Sequence, residues 1–335
     1  MIKEVIAEVV KGIDLSCLEA EQVMKEIMDG EATPSQIASF ITALRIKGET
    51  VDEITGCARI MRQYAKKIKV TGAAVDTCGT GGDKSYTFNI STVSAFVVSA
   101  AGLTVAKHGN VSVSSKCGSA NLLEALGVKI YISPDKVEQC LAKIGIGFLF
   151  APALHQAMKY AMPSRREIGI RTVFNILGPL TNPAGANCQL LGVYKRELTE
   201  PLARVLANLG SDHALVVHGL DGLDEVTITS QTQVSELVNG EVRTYLIGPE
   251  DFGIKKADSK DLKGGEIQVN LRIAREVLGG QPGPQRDIVL LNAGCAIYAA
   301  DLTKDINQGI KLAQKSIDSG SALKKLELLK KYTNN

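Results

Sequence analysis

The apolar positions Ile2, Val5, Ile6, Val9, Val10 and Ile13 recur at helical spacing, and helix punctuation follows at intervals up to about residue 70. Three capping boxes mark later helix starts: Ser16 with Glu19, Thr33 with Gln36 behind Pro34, and Thr50 with Glu53. Gly30 and Gly48 suit the positions that end the preceding helices. The pattern predicts a small helical domain over residues 1–72. Its apolar faces are generous for its size, so some should pack against another surface, a second subunit among the candidates.

From Ala73 the texture changes to short apolar runs alternating with helical patterns. The runs Ala73 to Cys78, Thr104 to Ala106, Val128 to Ile132, Gly147 to Phe150, Leu190 to Tyr194 and Ala214 to His218 read as buried strands. Helices are expected at Asn89 to Ala101, Asn121 to Leu126, Pro134 to Ile144 and Leu198 to Leu209. This alternation predicts an α/β domain over residues 73–335 with a central, mostly parallel sheet. Ligands in such sheets gather at the carboxyl ends of the strands. The stretch Arg165 to Gly185, rich in turn residues, reads as turns near a site or as a passage between lobes. Farther on, Val226 to Ile228 and Val242 to Ile247 look strand-like, Gly279 to Pro284 is a loop, and Asp287 to Ala299 and Ile306 to Leu328 look helical. Neither an internal repeat nor a low-complexity tract is present.

Composition narrows the function classes. Apolar residues make up 45% and charged residues 22%, as in ordinary globular proteins, and the net charge of +2 gives no global reason to expect nucleic acid or an anionic membrane as partner. Any anion site must therefore be local. The seven cysteines form no C-x-x-C pair, which points to reduced thiols rather than a disulfide or zinc framework. Met1 runs straight into an amphipathic pattern and no apolar stretch is long enough to span a bilayer, so the expected location is cytoplasmic.

The local chemistry centres on Gly79-Thr80-Gly81-Gly82-Asp83, placed after a predicted strand. Closely spaced glycines let backbone N–H groups converge on an anion, a phosphate cradle in chemical terms. The loop is neither a Walker A motif, because Lys84 follows Asp83, nor a dinucleotide fingerprint, because Lys84 occupies the place of the last glycine. Asn89-Ile90-Ser91-Thr92 opens the next helix, where Asn89 or Ser91 suits an N-cap. Lys107-His108-Gly109-Asn110 follows the second strand and leads into Ser112, Ser114, Ser115, Lys116 and Ser119, a donor-rich run suited to a polyphosphate ester. Asp224-Glu225 offers two carboxylates, which opposite a polyphosphate would suit Mg²⁺, with Ser91 as a further oxygen ligand. Arg165 and Arg166 could pair with a planar carboxylate or form a solvated charge run, and His155 is equally open. His213 and His218 lack metal-ligand company, and no nucleophile triad stands out.

The strings DTCGTGGDKSYTFNIST, AKHGN, SSKCGSA, LEALG, RREIGIRTVFNILGPLTNP and DGLDEV, in that order, closely resemble the anthranilate phosphoribosyltransferases of tryptophan biosynthesis. The resemblance spans nearly the whole chain, including GPQRDIVLLNAGCAIY. It implies a fold like that of nucleoside phosphorylases and phosphoribosyltransferases, with residues 165–185 returning to the helical lobe, and a homodimer formed through that lobe. The implied reaction joins anthranilate to 5-phosphoribosyl 1-diphosphate (PRPP) with release of pyrophosphate. Residue by residue, the resemblance puts PRPP on Gly79, Gly82, Asp83, Thr87, Asn89, Ile90, Ser91, Thr92, Lys107, His108, Gly109, Asn110, Ser114, Ser115 and Ser119, with the loop from Lys107 to Ser115 closing over it. Mg²⁺ falls on Ser91, Asp224 and Glu225, and anthranilate on Gly79, Asn110, His155, Arg165, Gly178 and Pro179. Lys107, Arg165, Asp224 and Glu225 are the implied catalytic set. Two positions depart from the family pattern: Val111 stands where KHGNR has its arginine, and Asn121 where GSAD has its aspartate, Asn121 being suited to serve as an N-cap with Glu124 three residues on. The competing readings are a nucleoside phosphorylase of similar architecture and a non-catalytic relative that binds nucleic acid.

Overall fold

A computed structural model describes residues 1–111 and 117–335. The chain opens with α1 (Ile2–Val10), α2 (Cys17–Asp29), α3 (Pro34–Lys47) and α4 (Val51–Tyr64). All three predicted capping boxes form. Ser16, Thr33 and Thr50 each accept the N–H of Glu19, Gln36 and Glu53 at 3.3 Å, and those side chains return a bond to the cap N–H at 2.8 Å. Glu53 is fully buried yet satisfied, because its carboxylate also accepts the Leu15 N–H at 3.0 Å and pairs with Lys47 at 3.1 Å.

The remainder runs β1 (Val75–Gly79), α5 (Ile90–Ala100), β2 (Val105–Gly109), α6 (Ser119–Ala125), α7 (Pro134–Ile144), β3 (Ile146–Phe150), α8 (Ala151–Leu154), α9 (Met162–Ile168), α10 (Phe174–Leu180), β4 (Cys188–Gly192) and α11 (Thr199–Asn208). Then come β5 (His213–Gly219), β6 (Thr232–Val238), β7 (Glu241–Ile247), α12 (Ile267–Leu278), α13 (Pro284–Ala299), α14 (Ile306–Asp318) and α15 (Ser321–Asn334). Seven strands form one sheet in the order β3-β2-β1-β4-β5-β6-β7. The pairs among β1 to β5 are parallel, whereas β6 and β7 run antiparallel. Chain progression reverses between β1 and β4, and the crevice at such a switch point is where open α/β sheets bind ligands. Gly79 and Gly192 face each other there in register.

One core lies between the sheet and α5, α13, α14 and α15. On the other face Cys78, Leu191, Ala214 and Val216 join α2, α3, α4 and α11 in a second core, which also takes in Val173, Phe174, Ile176, Leu177 and Leu180. The stretch that sequence left unplaced thus packs against the helical lobe, and Ser164 donates to the Pro34 carbonyl at 2.9 Å.

Four expectations need correction. Val128 to Ile132 is not a strand: Val128 and Ile130 are buried, but β3 occupies the sheet edge beside β2, and the Lys129 N–H bonds Thr333 Oγ1 instead. Val226 to Ile228 is also buried outside any strand, its backbone held by side chains. The helix expected from Ile306 to Leu328 is two, broken where Gly320 turns left-handed at φ 73°. Asn121 is not an N-cap: α6 starts at Ser119, and from the third position Asn121 Oδ1 accepts the Gly118 N–H at 3.1 Å. Strand β6 and helix α12 were not anticipated.

Candidate active site

The loop after β1 turns through two left-handed glycines, Gly81 (φ 67°) and Gly82 (φ 75°). Its start is pinned to β4, since Thr80 N–H donates to Gly192 O at 2.9 Å and Thr80 Oγ1 accepts the Tyr194 N–H at 3.1 Å. Its tip meets the acidic pair: Gly81 N–H donates to Asp224 Oδ2 at 2.7 Å. Arg171 donates to the Gly82 carbonyl while its guanidinium lies over the Tyr194 ring at 4.1 Å. Asp83 Oδ2 is buried without a hydrogen-bond partner.

Helix α5 aims its first turn at the same place. Ser91 N–H donates to Glu225 Oε1 at 3.2 Å, so the helix N-terminus faces a carboxylate as its dipole favours. Asn89 holds the N-cap position but makes no capping bond, a correction to its expected role. Its Nδ2 donates to Cys117 O at 2.9 Å and its Oδ1 accepts from Asn270 at 3.2 Å, which ties the helix start to the segment before α6 and to α12. Ile90 and Thr92 turn their side chains into the core, and the backbone of Thr87 pairs with that of Lys263.

Lys107, on β2 and 4% exposed, donates to Thr77 O at 2.6 Å and lies 3.5 Å from Ser91 Oγ. Burial lowers its pKa against the pull of Asp76. Burial raises Asp76 in turn to about 6, against the attraction of Lys107. Asp76 accepts the His108 N–H at 3.2 Å and Asn182 Nδ2 at 2.8 Å, and Asn182 also donates to Ala106 O at 2.8 Å. Asp224 and Glu225 keep partial solvent access at the foot of the crevice. Both carboxyls sit well above the usual range, chiefly through burial, with repulsion from Asp83 acting on Asp224 and from Asp224 acting on Glu225.

A second group gathers beside β2. The rings of His108 and His155 lie 5.0 Å apart, and both Nε2 atoms are buried and unpaired. Burial lowers His108 to about 3 and His155 to about 4, so both imidazoles are neutral at pH 7. The backbones of Gly178 and Thr181 pull the other way on His108 and His155 respectively, and Pro179 O accepts from Gln189 Nε2 at 2.7 Å. Gly109 ends β2, and the Asn110 carbonyl beyond it accepts from Ser119 Oγ at 3.2 Å. Arg165, half-buried on α9, lies over the Phe174 ring at 5.2 Å and touches Met162 Sδ at 3.6 Å. Among the described residues it pairs with no carboxylate and makes no bond to the glycine loop. Ser114 and Ser115, and the expected closing loop beyond Val111, lie outside the described residues.

The helical bundle domain of a glycosyl transferase family matches residues 3–65, and the a/b domain of that family matches residues 71–323. The anthranilate phosphoribosyltransferase of Moorella thermoacetica is 58% identical over 330 residues, covering 98% of this chain and 97% of that one. The chain belongs to the anthranilate phosphoribosyltransferase family. The structure of the family member from Thermus thermophilus superposes with a TM-score of 0.94 at 42% identity, covering 98% of this chain and 99% of that one. The Saccharomyces cerevisiae enzyme in complex with PRPP and Mg superposes with a TM-score of 0.91 at 28% identity, covering 99% and 98% of the two chains.

Within this family member, sequence reasoning overlooked Asp76, Arg171, Asn182 and Asn270, whose hydrogen bonds tie the segments of the site to one another. Asp76 carried a usable signal, a polar side chain inside an apolar run. Arg171 carried none, since an arginine in a loop reads as solvated.

Proposed function

We propose that this chain transfers the 5-phosphoribosyl group of PRPP to the amine of anthranilate, giving N-(5-phosphoribosyl)anthranilate and pyrophosphate in tryptophan biosynthesis. The observation that carries the reading is the convergence of the glycine loop, the α5 N-terminus, Lys107 and Asp224-Glu225 at the switch point between β1 and β4. In the reaction the anomeric C–O bond to diphosphate breaks with its electron pair leaving on oxygen, a C–N bond forms, and the amine then loses a proton. The donors of Gly79, Gly82, Asp83, Thr87, Asn89 to Thr92, Lys107 to Asn110 and Ser119 would hold PRPP. Lys107 would place fixed positive potential beside the departing oxygens.

The residues fit a hard divalent cation. Asp224, Glu225 and Ser91 offer only oxygen, Glu225 touches Ser91, and the two carboxyls are crowded into an environment that disfavours their charge. Two carboxylates and one hydroxyl suit Mg²⁺ completed by water and phosphate oxygens. When bound there, Mg²⁺ supplies Lewis-acid neutralisation of the leaving diphosphate.

Arg165 would hold the anthranilate carboxylate, with Gly79, Asn110, His155, Gly178 and Pro179 lining the place. Such positioning contributes up to about 7–11 kcal/mol where it is ideal. Neutral His108 and His155 place no charge of their own beside the carboxylate. The decisive experiment follows anthranilate fluorescence with PRPP and Mg²⁺ together and singly. Loss that requires both supports the reading, and no loss under any condition refutes it.

The division at residues 72 and 73 and a cytoplasmic location belong to the same proposal. Among the described residues no helix is long and apolar enough to cross a membrane. Dimerisation through the helical lobe is supported by Val10, Leu18 and Ile46, exposed to 70%, 62% and 82%. Light scattering of Ile46→Glu against the unsubstituted chain tests it.

A further inference from the structure

Helix α13 is buried on nearly every side from Ile288 to Ala299, and in the middle of that run stands Asn292, with no solvent exposure. A carboxamide is costly to bury unless its hydrogen bonds are made. Here they are. Asn292 Oδ1 accepts the Val226 N–H at 3.0 Å, and Nδ2 donates to Val226 O at 2.8 Å and to Ile288 O at 2.9 Å. The side chain thus brackets both polar groups of one residue, much as a neighbouring strand would, and that residue directly follows Glu225. A second anchor acts from the other end. Asp221 accepts the Leu223 N–H at 3.2 Å, Thr227 Oγ1 at 2.6 Å and the Thr229 hydroxyl, while Thr232 Oγ1 accepts the Thr227 N–H at 3.0 Å.

Between the two anchors lie only Asp224 and Glu225. With both flanks tied, their backbone has little freedom, and the carboxylates reach Gly81 N–H and Ser91 N–H from fixed origins. We infer that Asn292 is a positioning residue: it touches no substrate, and it sets the height of the acidic pair above the sheet so that the two carboxylates converge on one divalent cation. The inference rests on the metal assignment proposed above. Helices and strands hold catalytic groups more firmly than loops do, and here a helix reaches into the loop to do so.

The test uses the full-length chain with PRPP and Mn²⁺, reading bound Mn²⁺ by electron paramagnetic resonance. Asn292→Asp keeps the shape and the acceptor but loses both donors. It should weaken Mn²⁺ binding in the presence of PRPP by roughly tenfold or more, the range typical of residues that orient metal ligands. The Michaelis constant for anthranilate should stay within about twofold. Should that variant fail to fold by circular dichroism, Asn292→Ser, which keeps a hydroxyl donor without the added charge, carries the same measurement. A folded variant with unchanged Mn²⁺ affinity overturns the inference. So does one in which Mn²⁺ affinity and the anthranilate constant deteriorate equally, since that is what general loosening produces. If the unsubstituted chain binds no Mn²⁺ beside PRPP, the inference falls with the metal assignment. If it consumes no anthranilate at all, the proposed reaction fails separately.

Discussion

Replacing Gly192 by alanine should disable the acidic pair without touching a substrate. Gly192 ends β4 opposite Gly79 on β1, and its Cα faces the main chain of Asp224. An added Cβ would overlap the Asp224 carbonyl and come within 3.3 Å of its Cα. Gly192 is not in the left-handed region, so the methyl adds no backbone strain and the whole effect is steric. Relief requires the Asp224 carbonyl to retreat by more than an ångström, and the anchors at Asp221 and Val226 oppose that movement. Overpacking of this kind costs about 1–3 kcal/mol of stability. For a chain of this size that is a fall of only a few degrees in Tm. Activity should suffer far more, because a displacement of about 1 Å in a reacting constellation costs on the order of 100-fold, about 2.7 kcal/mol of barrier.

The assay is steady-state loss of anthranilate fluorescence across a Mg²⁺ titration. Gly79→Ala presses on the same residue from β1. Its Cβ would stand 2.7 Å from Asp224 Oδ2, which can yield by side-chain rotation, so it should cost less stability while still displacing a proposed metal ligand. The Mg²⁺ concentration for half-maximal rate should rise in both variants, and Tm should fall more in Gly192→Ala. A Gly192→Ala enzyme within about threefold of the parent in kcat/KM would refute the reasoning, and so would a larger loss of Tm in Gly79→Ala than in Gly192→Ala.

Four further outcomes are expected. His213 lies 2.7 Å from Asp301 and 3.3 Å from Glu236; burial lowers its pKa, but the hydrogen bonds to Glu236 and then Asp301 raise it by more. Its contribution to stability is therefore full below about pH 6.5 and lost as pH rises through the raised value, so between about pH 6 and pH 9 the parent should lose more Tm than His213→Gln, and parallel slopes would count against this. Asp76→Ala strips acceptors from His108 N–H and Asn182 and removes the largest of the opposing charges that act on buried Lys107, which should cost about 3–5 kcal/mol in urea unfolding. Arg165→Ala should raise the anthranilate KM by about tenfold or more, and Arg165→Lys should recover only part, since an ammonium cannot match a planar carboxylate with two parallel bonds. Val111→Arg, at a position 41% exposed, should lower the PRPP KM while leaving stability within about 0.5 kcal/mol.

What could be read from the sequence follows from what hydrophobicity reports. Capping boxes are local chemistry, so Ser16, Thr33 and Thr50 were legible residue by residue. The central strands β1 to β5 showed as apolar runs because both faces are covered, whereas β6, half-buried in alternation as Thr232-Gln-Val-Ser-Glu-Leu-Val238, escaped. Val128 to Ile132 and Val226 to Ile228 misled for the converse reason: an apolar run announces burial and says nothing about which hydrogen-bond partner waits inside. The site divided along the same line. Gly79 to Asp83, Lys107 and Asp224-Glu225 could be named because each motif carries its chemistry along the chain. Their supports come from segments far apart in sequence, as when Asn292 grips Val226 from 66 positions away. Yet the cost of burying a polar group makes some of these supports visible in principle. Asp76 within Ala73 to Cys78 and Asn292 within Ile288 to Ala299 each interrupt a run that folding must bury, so each required a partner with a matching unmet hydrogen bond. For Asp76 those partners are His108 N–H and Asn182, and for Asn292 the backbone of Val226, so both solitary polar residues lead directly to the walls of the site.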